Sequence, residues 1–354
     1  MSVVSRETRS LLTSLRELSN MFVFIAHSLP LVPYDIPFYT KKKEAERRDM
    51  KKILIVTGPT ASGKTGALLS LGRSDLEVVS ADSRQVYRRL DIGTAKPTPD
   101  ERAKLPHHLV DVCDPDETYN AGRFRLDAET AITSCLERGK VPVVVGGTGF
   151  YLRALVDGLS PIPAVPSEVT DQLRGEMDGA SLVDLYRRLV EVDPRAAEKI
   201  EPNDRQRILR ALAVYTHTGR TLSSWWDETA IPPRYEYLWC GITWPRETLR
   251  RRIAARVDAM LDAGLEAEVR RLIDAGYTWE TNAMRTVGYR EWEPYFAGHV
   301  GLDAVCERIV IHSAQYAKRQ MTWFRGVPEI RWIHGDSGNV TEHVERCLDE
   351  AARS

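Results

Sequence analysis

From residue 51 onward the chain alternates short apolar runs with longer stretches of helical periodicity. ILIV (53–56), LEVVSA (76–81) and VPVVVGG (141–147) are near-continuous runs of aliphatic, mostly β-branched residues. That pattern predicts strands buried on both faces of a parallel sheet rather than half-solvated antiparallel ones. TGALLSLG (65–72) predicts a helix after the first strand, and YEYLWCGITW (235–244) a strand that returns to the sheet. The expected class is therefore α/β, with a doubly wound parallel sheet. SPIPAVPSE (160–168) breaks the alternation with three prolines, and from Val169 to about Trp226 only helical patterns follow. An all-helical block between α/β segments predicts an insertion domain. RETLRRRIAARVDAMLDAG predicts a long helix with Leu249, Ile253, Val257 and Met260 inward and Arg250, Arg251, Arg252 and Arg256 elsewhere on its surface. Gly264 is placed to end or bend it, and Gly276 to stop the next helical stretch.

The expected organisation is an N-terminal extension (1–50), a first core segment (51–159), the helical insertion (160–225), a second core segment with basic and aromatic helices (226–335) and a C-terminal tail (336–354). The apolar MFVFIA (21–26) and LPLVP (29–33) are too short to span a membrane. Glu7 and Glu17 ahead of them weaken a signal-peptide reading. KKKEAERRDMKK (41–52) reads as a charged linker. The extension is read as disordered or non-native, with Met50 as the natural start; a targeting or regulatory role is the other reading.

The 354 residues are 43% hydrophobic and 28% charged with a net charge of −1, so any nucleic-acid surface has to be a local basic patch. Five scattered cysteines without a C-x-x-C pair suit reduced thiols in the cytoplasm. The eight histidines show no H-x-x-x-H pair or Cys/His cluster, so no structural zinc is expected.

GPTASGKT (58–65) satisfies G-x-x-x-x-G-K-[ST] between a predicted strand and helix, which makes the fold P-loop NTPase-like. Gly58 and Gly63 allow the loop backbone (Gly58, Pro59, Thr60, Ala61, Ser62, Gly63, Lys64, Thr65) to wrap phosphate oxygens. Lys64 adds a charge, and Ser62 and Thr65 are the candidate Mg²⁺ ligands. The VPVVV strand, where an NTPase of this class places its Mg²⁺-holding acid, ends in GGTG instead, and no N-K-x-D motif is present. Asp82 closes the second strand on the ligand side of the sheet. Magnesium binding, proton acceptance and helix capping are all open to it. Thr148, at the strand-to-helix turn of VVVGGTGFYL, can donate to a diphosphate or a base, or be a plain turn residue. DRQRILR (204–210), MRTVGYRE (284–291) and AKRQMTWFRG (317–326) mix cations with aromatics. Each alone suits a solvated helix face, and together they suit phosphates and unstacked bases.

TGPTASGKT, SADSRQVYRRLDIGTAKPT, PHHLVDVCDP, VVVGGTGFYL, NDRQRILRALAVY, MRTVGYRE and AKRQMTWFRG, in that order, resemble the tRNA dimethylallyltransferases, also called tRNA isopentenyl transferases, over about residues 50–335. The resemblance implies that the P-loop holds the diphosphate of dimethylallyl diphosphate rather than ATP as phosphoryl donor. It implies Mg²⁺ as cofactor and the anticodon stem-loop of tRNA as partner; a monomer is the default expectation, and the cytoplasm follows from the scattered cysteines. The acceptor implied is N6 of adenosine 37 in tRNAs reading codons that begin with U, flipped into a channel whose other end admits the prenyl donor. Asp82 is then the general base. Lys64, Thr148 and Arg285 stabilise the leaving diphosphate. The implied tRNA contacts are Asp82, Ser83, Arg84, Gln85 and Thr148; Gln206, Arg207, Ile208, Leu209 and Arg210 in the insertion; Arg285, Thr286, Val287, Gly288, Tyr289 and Arg290; and Lys318, Arg319, Gln320, Met321, Thr322, Trp323, Phe324 and Arg325. One position departs from the family: where an arginine after the proline-rich boundary often touches tRNA, this chain has Thr170, with Arg174 nearest. The rival readings are a P-loop small-molecule or nucleotide kinase using ATP, and a non-catalytic RNA-binding protein.

Overall fold

The apolar runs become strands of one six-stranded sheet in the computed structural model, which describes residues 50–176, 181–228 and 232–353. Positions 1–49 of the expected N-terminal extension lie outside the described residues. Strand β1 (Lys52–Thr57) leads through the P-loop into α1 (Lys64–Leu69), followed by β2 (Leu76–Ser80), α2 (Pro99–Lys104), β3 (His107–His108), α3 (Ala121–Glu137), β4 (Val141–Gly146) and α4 (Gly149–Asp157). A helical stretch comes next: α5 (Ser167–Glu176), α6 (Leu182–Val192), α7 (Pro194–Ala197), α8 (Arg205–Thr218) and α9 (Leu222–Trp226). The chain returns as β5 (Glu236–Thr243) and continues through α10 (Arg246–Asp262), α11 (Leu265–Asp274), α12 (Glu293–Phe296), α13 (Leu302–Phe324), β6 (Arg331–His334) and α14 (Val340–Ala352). The strand order is β3-β2-β4-β1-β5-β6, with every pair parallel.

β1 is central: Val56 faces Val145 of β4 on one side and Cys240 of β5 on the other. Its side chains alternate between two apolar layers, as a pleated strand requires. Ile53 and Ile55 join Val79, Val144, Phe124, Leu152, Trp292 and Phe324 in one layer. Leu54 and Val56 join Val78, Val143, Cys240, Leu68, Val344 and Leu348 in the other. Burial on both faces is why these strands read as unbroken apolar runs.

The last two elements, β6 and α14, are not anticipated from the sequence. Residues 336–354, read above as a tail, carry α14, whose Val344, Cys347, Leu348 and Ala351 are buried beneath the sheet. Its amphipathic period is short and follows a four-residue edge strand, β6, so neither element stands out by length. A third apolar cluster, including Leu185, Leu189, Ile208, Leu212, Val214 and Leu222, is drawn only from positions 162–226. Gly264 (φ 91°) separates α10 from α11 and Gly276 (φ 91°) follows α11, both in left-handed conformations that favour glycine. No helix among the described residues is long and apolar enough to cross a membrane.

Candidate active site

Because all strands run in one direction, the loops after β1, β2 and β4 meet at one edge of the sheet, the usual ligand edge of such a fold. The P-loop there takes positive φ at Gly58 (143°), Ala61 (62°) and Gly63 (91°). A Cβ at Gly58 would run into the Ile242 carbonyl of β5, so only glycine lets the loop cross that strand end. The loop is also held from outside. Trp244 Nε1 donates to the Ser62 carbonyl and Arg252 Nε to the Ala61 carbonyl, both at 2.9 Å. The Arg252 guanidinium lies 4.3 Å from the Trp244 ring centroid, so the two brace each other. From α13, Gln320 Oε1 accepts from Thr60 N (2.8 Å) while its Nε2 donates to the Gly147 carbonyl (2.9 Å), joining the P-loop to the end of β4.

These elements surround a cavity of about 590 Å³, lined by residues 60–66 of the loop, Asp82, Gln85, the 94–97 segment, Arg252, Arg256, Tyr316 and Gln320. That is an ordinary size for a small-molecule site. Lys64 Nζ donates to the Gly58 and Pro59 carbonyls, each at 3.0 Å. Burial pushes its ammonium down to about 8, against the favourable charge of Asp82 and with the repulsion of Arg256. Arg256 Nη1 lies 3.4 Å from Thr60 Oγ1, and burial lowers its guanidinium's pKa while Asp82 opposes the shift.

Asp82 serves two ends. Its Oδ1 accepts from Arg84 N (2.8 Å) and Gln85 N (3.2 Å), the cap expected of a carboxylate at a strand end. Its side chain also lines the cavity, and its charge acts on Lys64, Arg256 and Tyr316. Thr148 Oγ1 accepts from Ser83 N (3.0 Å) and donates to Ser83 Oγ (3.3 Å), tying the turn after β4 to the turn after β2. Burial pushes the Tyr316 hydroxyl up to about 12, with Asp82 adding to the shift and a hydrogen bond with Thr148 opposing it. Asp82, Ser83, Thr148 and Tyr316 thus form one polar group beside the cationic loop.

For a magnesium ion the donors are unequal. Ser62 is buried, with its Oγ 3.5 Å from Lys64 Nζ. The Thr65 hydroxyl lines the cavity and takes no hydrogen bond among the described residues. A hard, largely hydrated cation that needs one or two protein oxygens besides its phosphates would find Thr65 the more open donor; Ser62 and the Asp82 carboxylate line the same cavity.

Several residues named from the sequence are not where that reading put them. Arg285 ion-pairs with Glu280, is largely exposed and does not line the cavity. Ile208 and Leu209 point into the helical cluster, since alternate faces of α8 cannot both meet solvent. Thr286, Gly288 and Tyr289 are buried, and the Tyr289 hydroxyl donates to Glu268 (2.6 Å). Gln320 gives its amide to backbone partners, and Phe324 belongs to the core. Trp323 packs on Gly149, where a Cβ would run into its ring. Arg84 donates to the Asn282 carbonyl (3.2 Å), and Gln85 Nε2 holds the Thr94 and Ala95 carbonyls (3.3 and 3.1 Å). Gln206, Arg207, Arg210, Lys318, Arg319 and Arg325 remain exposed, Arg207 beside Asp204; Val287, Met321 and Thr322 are half-buried, and Arg290 bonds Glu291. Arg252, Arg256 and Tyr316 are among the cavity residues that the sequence does not place at the site. The helical arginines had been placed on the general surface, because periodicity says which side is polar but not what faces it.

The family model described as IPP transferase matches residues 85–327. The tRNA dimethylallyltransferase 2 of Geotalea uraniireducens is 46% identical over 287 residues, 80% of this chain and 93% of that protein. The tRNA dimethylallyltransferase of Geobacter metallireducens is also 46% identical, over 82% of this chain and 94% of its own length. Among solved structures, a tRNA isopentenylpyrophosphate transferase from Staphylococcus epidermidis aligns with a TM-score of 0.61 at 34% identity, covering 86% of this chain and all of the other. A eukaryotic dimethylallyltransferase acting on tRNA aligns with a TM-score of 0.72 at 28% identity, covering 84% and 77%. A kinase reading of the P-loop finds no support in these matches. The order of motifs, the cationic loop without an acid on β4, and the cavity between them have one common explanation: this chain belongs to the IPP transferase family.

Proposed function

We propose that the enzyme transfers the dimethylallyl group of dimethylallyl diphosphate to N6 of adenosine 37 in tRNAs that read codons beginning with U. The observation that carries this reading is the adjacency of two unlike halves in one cavity. One half is the P-loop with Lys64, Arg252 and Arg256, suited to a diphosphate; the other is Asp82 and Tyr316, suited to a nucleobase amine, with Thr148 behind them bonded to Ser83 and Tyr316 and outside the cavity lining.

The reaction needs little else. The N6 lone pair, delocalised into the adenine ring, attacks C1 of the prenyl donor as the C1–O bond breaks. The bonding electrons leave with the diphosphate, whose growing charge Lys64 and Arg256 stabilise from fixed positions. The proton lost from N6 passes to Asp82, whose Oδ1 is held by the Arg84 and Gln85 amides. Tyr316, with Thr148 behind it, orients the base edge. Thr65 would help hold Mg²⁺, which would add positive charge beside the leaving diphosphate. Flipping the base out of its stack costs a few kcal/mol. The exposed cations Arg207 and Arg210 on α8, in a 160–225 segment read as gripping the anticodon stem-loop, and Lys318, Arg319 and Arg325 near the end of α13 offset that cost. Free thiols at all five cysteines suit a cytoplasmic enzyme, and we take the monomer as its working unit.

The test is transfer of labelled dimethylallyl diphosphate to an unmodified anticodon stem-loop, with Mg²⁺ and without ATP. Label enters the RNA, and Asp82→Asn lowers kcat by about 10²–10⁴ with KM little changed. Turnover that requires ATP, or an Asp82→Asn variant with normal kcat, would sink the reading.

A further inference from the structure

Three potential ligand atoms from Cys240, His343 and Cys347 lie within 4.8 Å of one another on the side of the sheet away from α10–α13. Cys240 comes from β5; His343 and Cys347 are four residues apart on α14 and so share one face of that helix. Sequence spacing hides the group, because its first member lies a long way from the other two in the chain.

The geometry points to a zinc site formed by Cys240, His343 and Cys347, with water as the fourth ligand, pinning α14 to the sheet. In a tetrahedral centre with Zn–S of about 2.3 Å and Zn–N of about 2.0–2.1 Å, neighbouring donors stand roughly 3.5–3.8 Å apart. The three donors, within 4.8 Å of one another, stand about 1 Å from that spacing at most. Both cysteines are buried, at 0% and 3% exposure, while His343 is half-buried and opens the site to solvent. His343 Nε2 lies 3.4 Å from the Arg331 carbonyl, the kind of outer contact that orients an imidazole beside a metal. Arg346 Nη2 stands 3.5 Å from His343 Nδ1 on an exposed side chain free to turn outward. Two thiols release their protons on binding, and the resulting thiolates neutralise the dication. The Arg331 guanidinium is meanwhile bound to Glu350.

A second group of similar composition, Glu77, His108 and Cys135, does not have this property. There Arg138 already donates to Glu77, as do His108 (2.7 Å) and Cys135 (3.2 Å), so a cation and two donors occupy the carboxylate. It serves as an internal control.

The full chain, reduced with a phosphine, is dialysed against Zn²⁺ or Co²⁺ and then freed of excess metal. The expected result is one zinc per chain by elemental analysis, and a thiolate-to-cobalt charge-transfer band in the near ultraviolet. Cys347→Ser abolishes the band. His343→Ala, at a half-buried position that leaves the core intact, weakens zinc binding at least about tenfold, the loss that removing even an outer-shell partner produces. Cys135→Ser changes nothing. The proposal is overturned if the reduced chain takes up no zinc, if His343→Ala binds as tightly as the parent, or if Cys240 and Cys347 are recovered as a disulfide in a chain that binds no metal when reduced.

Discussion

Lys64 loses its charge at a pH where an ordinary lysine keeps it. Its folded pKa of about 8 lies below the usual 10.5, so the ammonium deprotonates as pH rises through about 8. The KM for dimethylallyl diphosphate then rises about tenfold per pH unit above that point, for binding that requires the charge. Stability moves the other way. Between about 8 and 10.5 the unfolded chain holds a proton at this lysine that the folded chain has lost, so this group makes the fold more stable with rising pH. Measuring KM and the denaturation midpoint across pH 7–10 separates the two: a rising KM accompanied by a falling midpoint would mean alkaline unfolding rather than Lys64 titration. At this scale the sequence reveals the residues that sit in strand-end loops, Lys64, Asp82 and Thr148, because motif and strand signal coincide there. Arg256 and Tyr316 stay hidden, since each comes from a helix remote in the chain and only packing aims it at the P-loop.

Between residue and domain, α11 controls a wall of the cavity through one buried carboxylate. Glu268 accepts hydrogen bonds from Asp91 N (3.1 Å), Ile92 N (2.8 Å), Gly93 N (3.1 Å) and Tyr289 Oη (2.6 Å), fixing the turn that leads into cavity residues 94–97. Each buried donor left unpaired costs about 1–3 kcal/mol, so Glu268→Ala loses several kcal/mol in a chemical denaturation series. The same variant raises KM for the prenyl donor; an unchanged denaturation midpoint would show that the turn holds itself. Continuous apolar runs make β1, β2, β4 and β5 legible. The two-residue β3 and the four-residue edge strand β6, half of whose residues are exposed, carry too little pattern to be seen. Tyr289 and Phe324 were mistaken for RNA contacts because a motif is a contiguous string, whereas a helix or turn sends neighbouring side chains to opposite sides.

For the molecule as a whole, the helical segment buries an apolar core of its own, so the RNA contacts proposed for α8 can be changed without touching the cavity. Arg207→Glu with Arg210→Glu raises KM for the stem-loop and flattens its dependence on salt, by about 0.7–0.9 in logarithmic slope per lost phosphate contact. The KM for dimethylallyl diphosphate stays unchanged. Equal effects on both substrates would mean that the helical segment shapes the cavity itself.

The central position of β1 has a consequence during synthesis. Its partner on one flank, β4, is complete by residue 146, but its partner on the other, β5, starts only at residue 236, after the helical segment. At translation rates of about 5–20 residues per second, the strand that carries the P-loop spends roughly 5–18 seconds as an open edge. An unpaired row of backbone N–H and C=O groups invites pairing with another chain. A chain ended at residue 227 therefore aggregates where the full chain stays monodisperse in light scattering. The nascent enzyme most needs protection at the strand that ends up best protected.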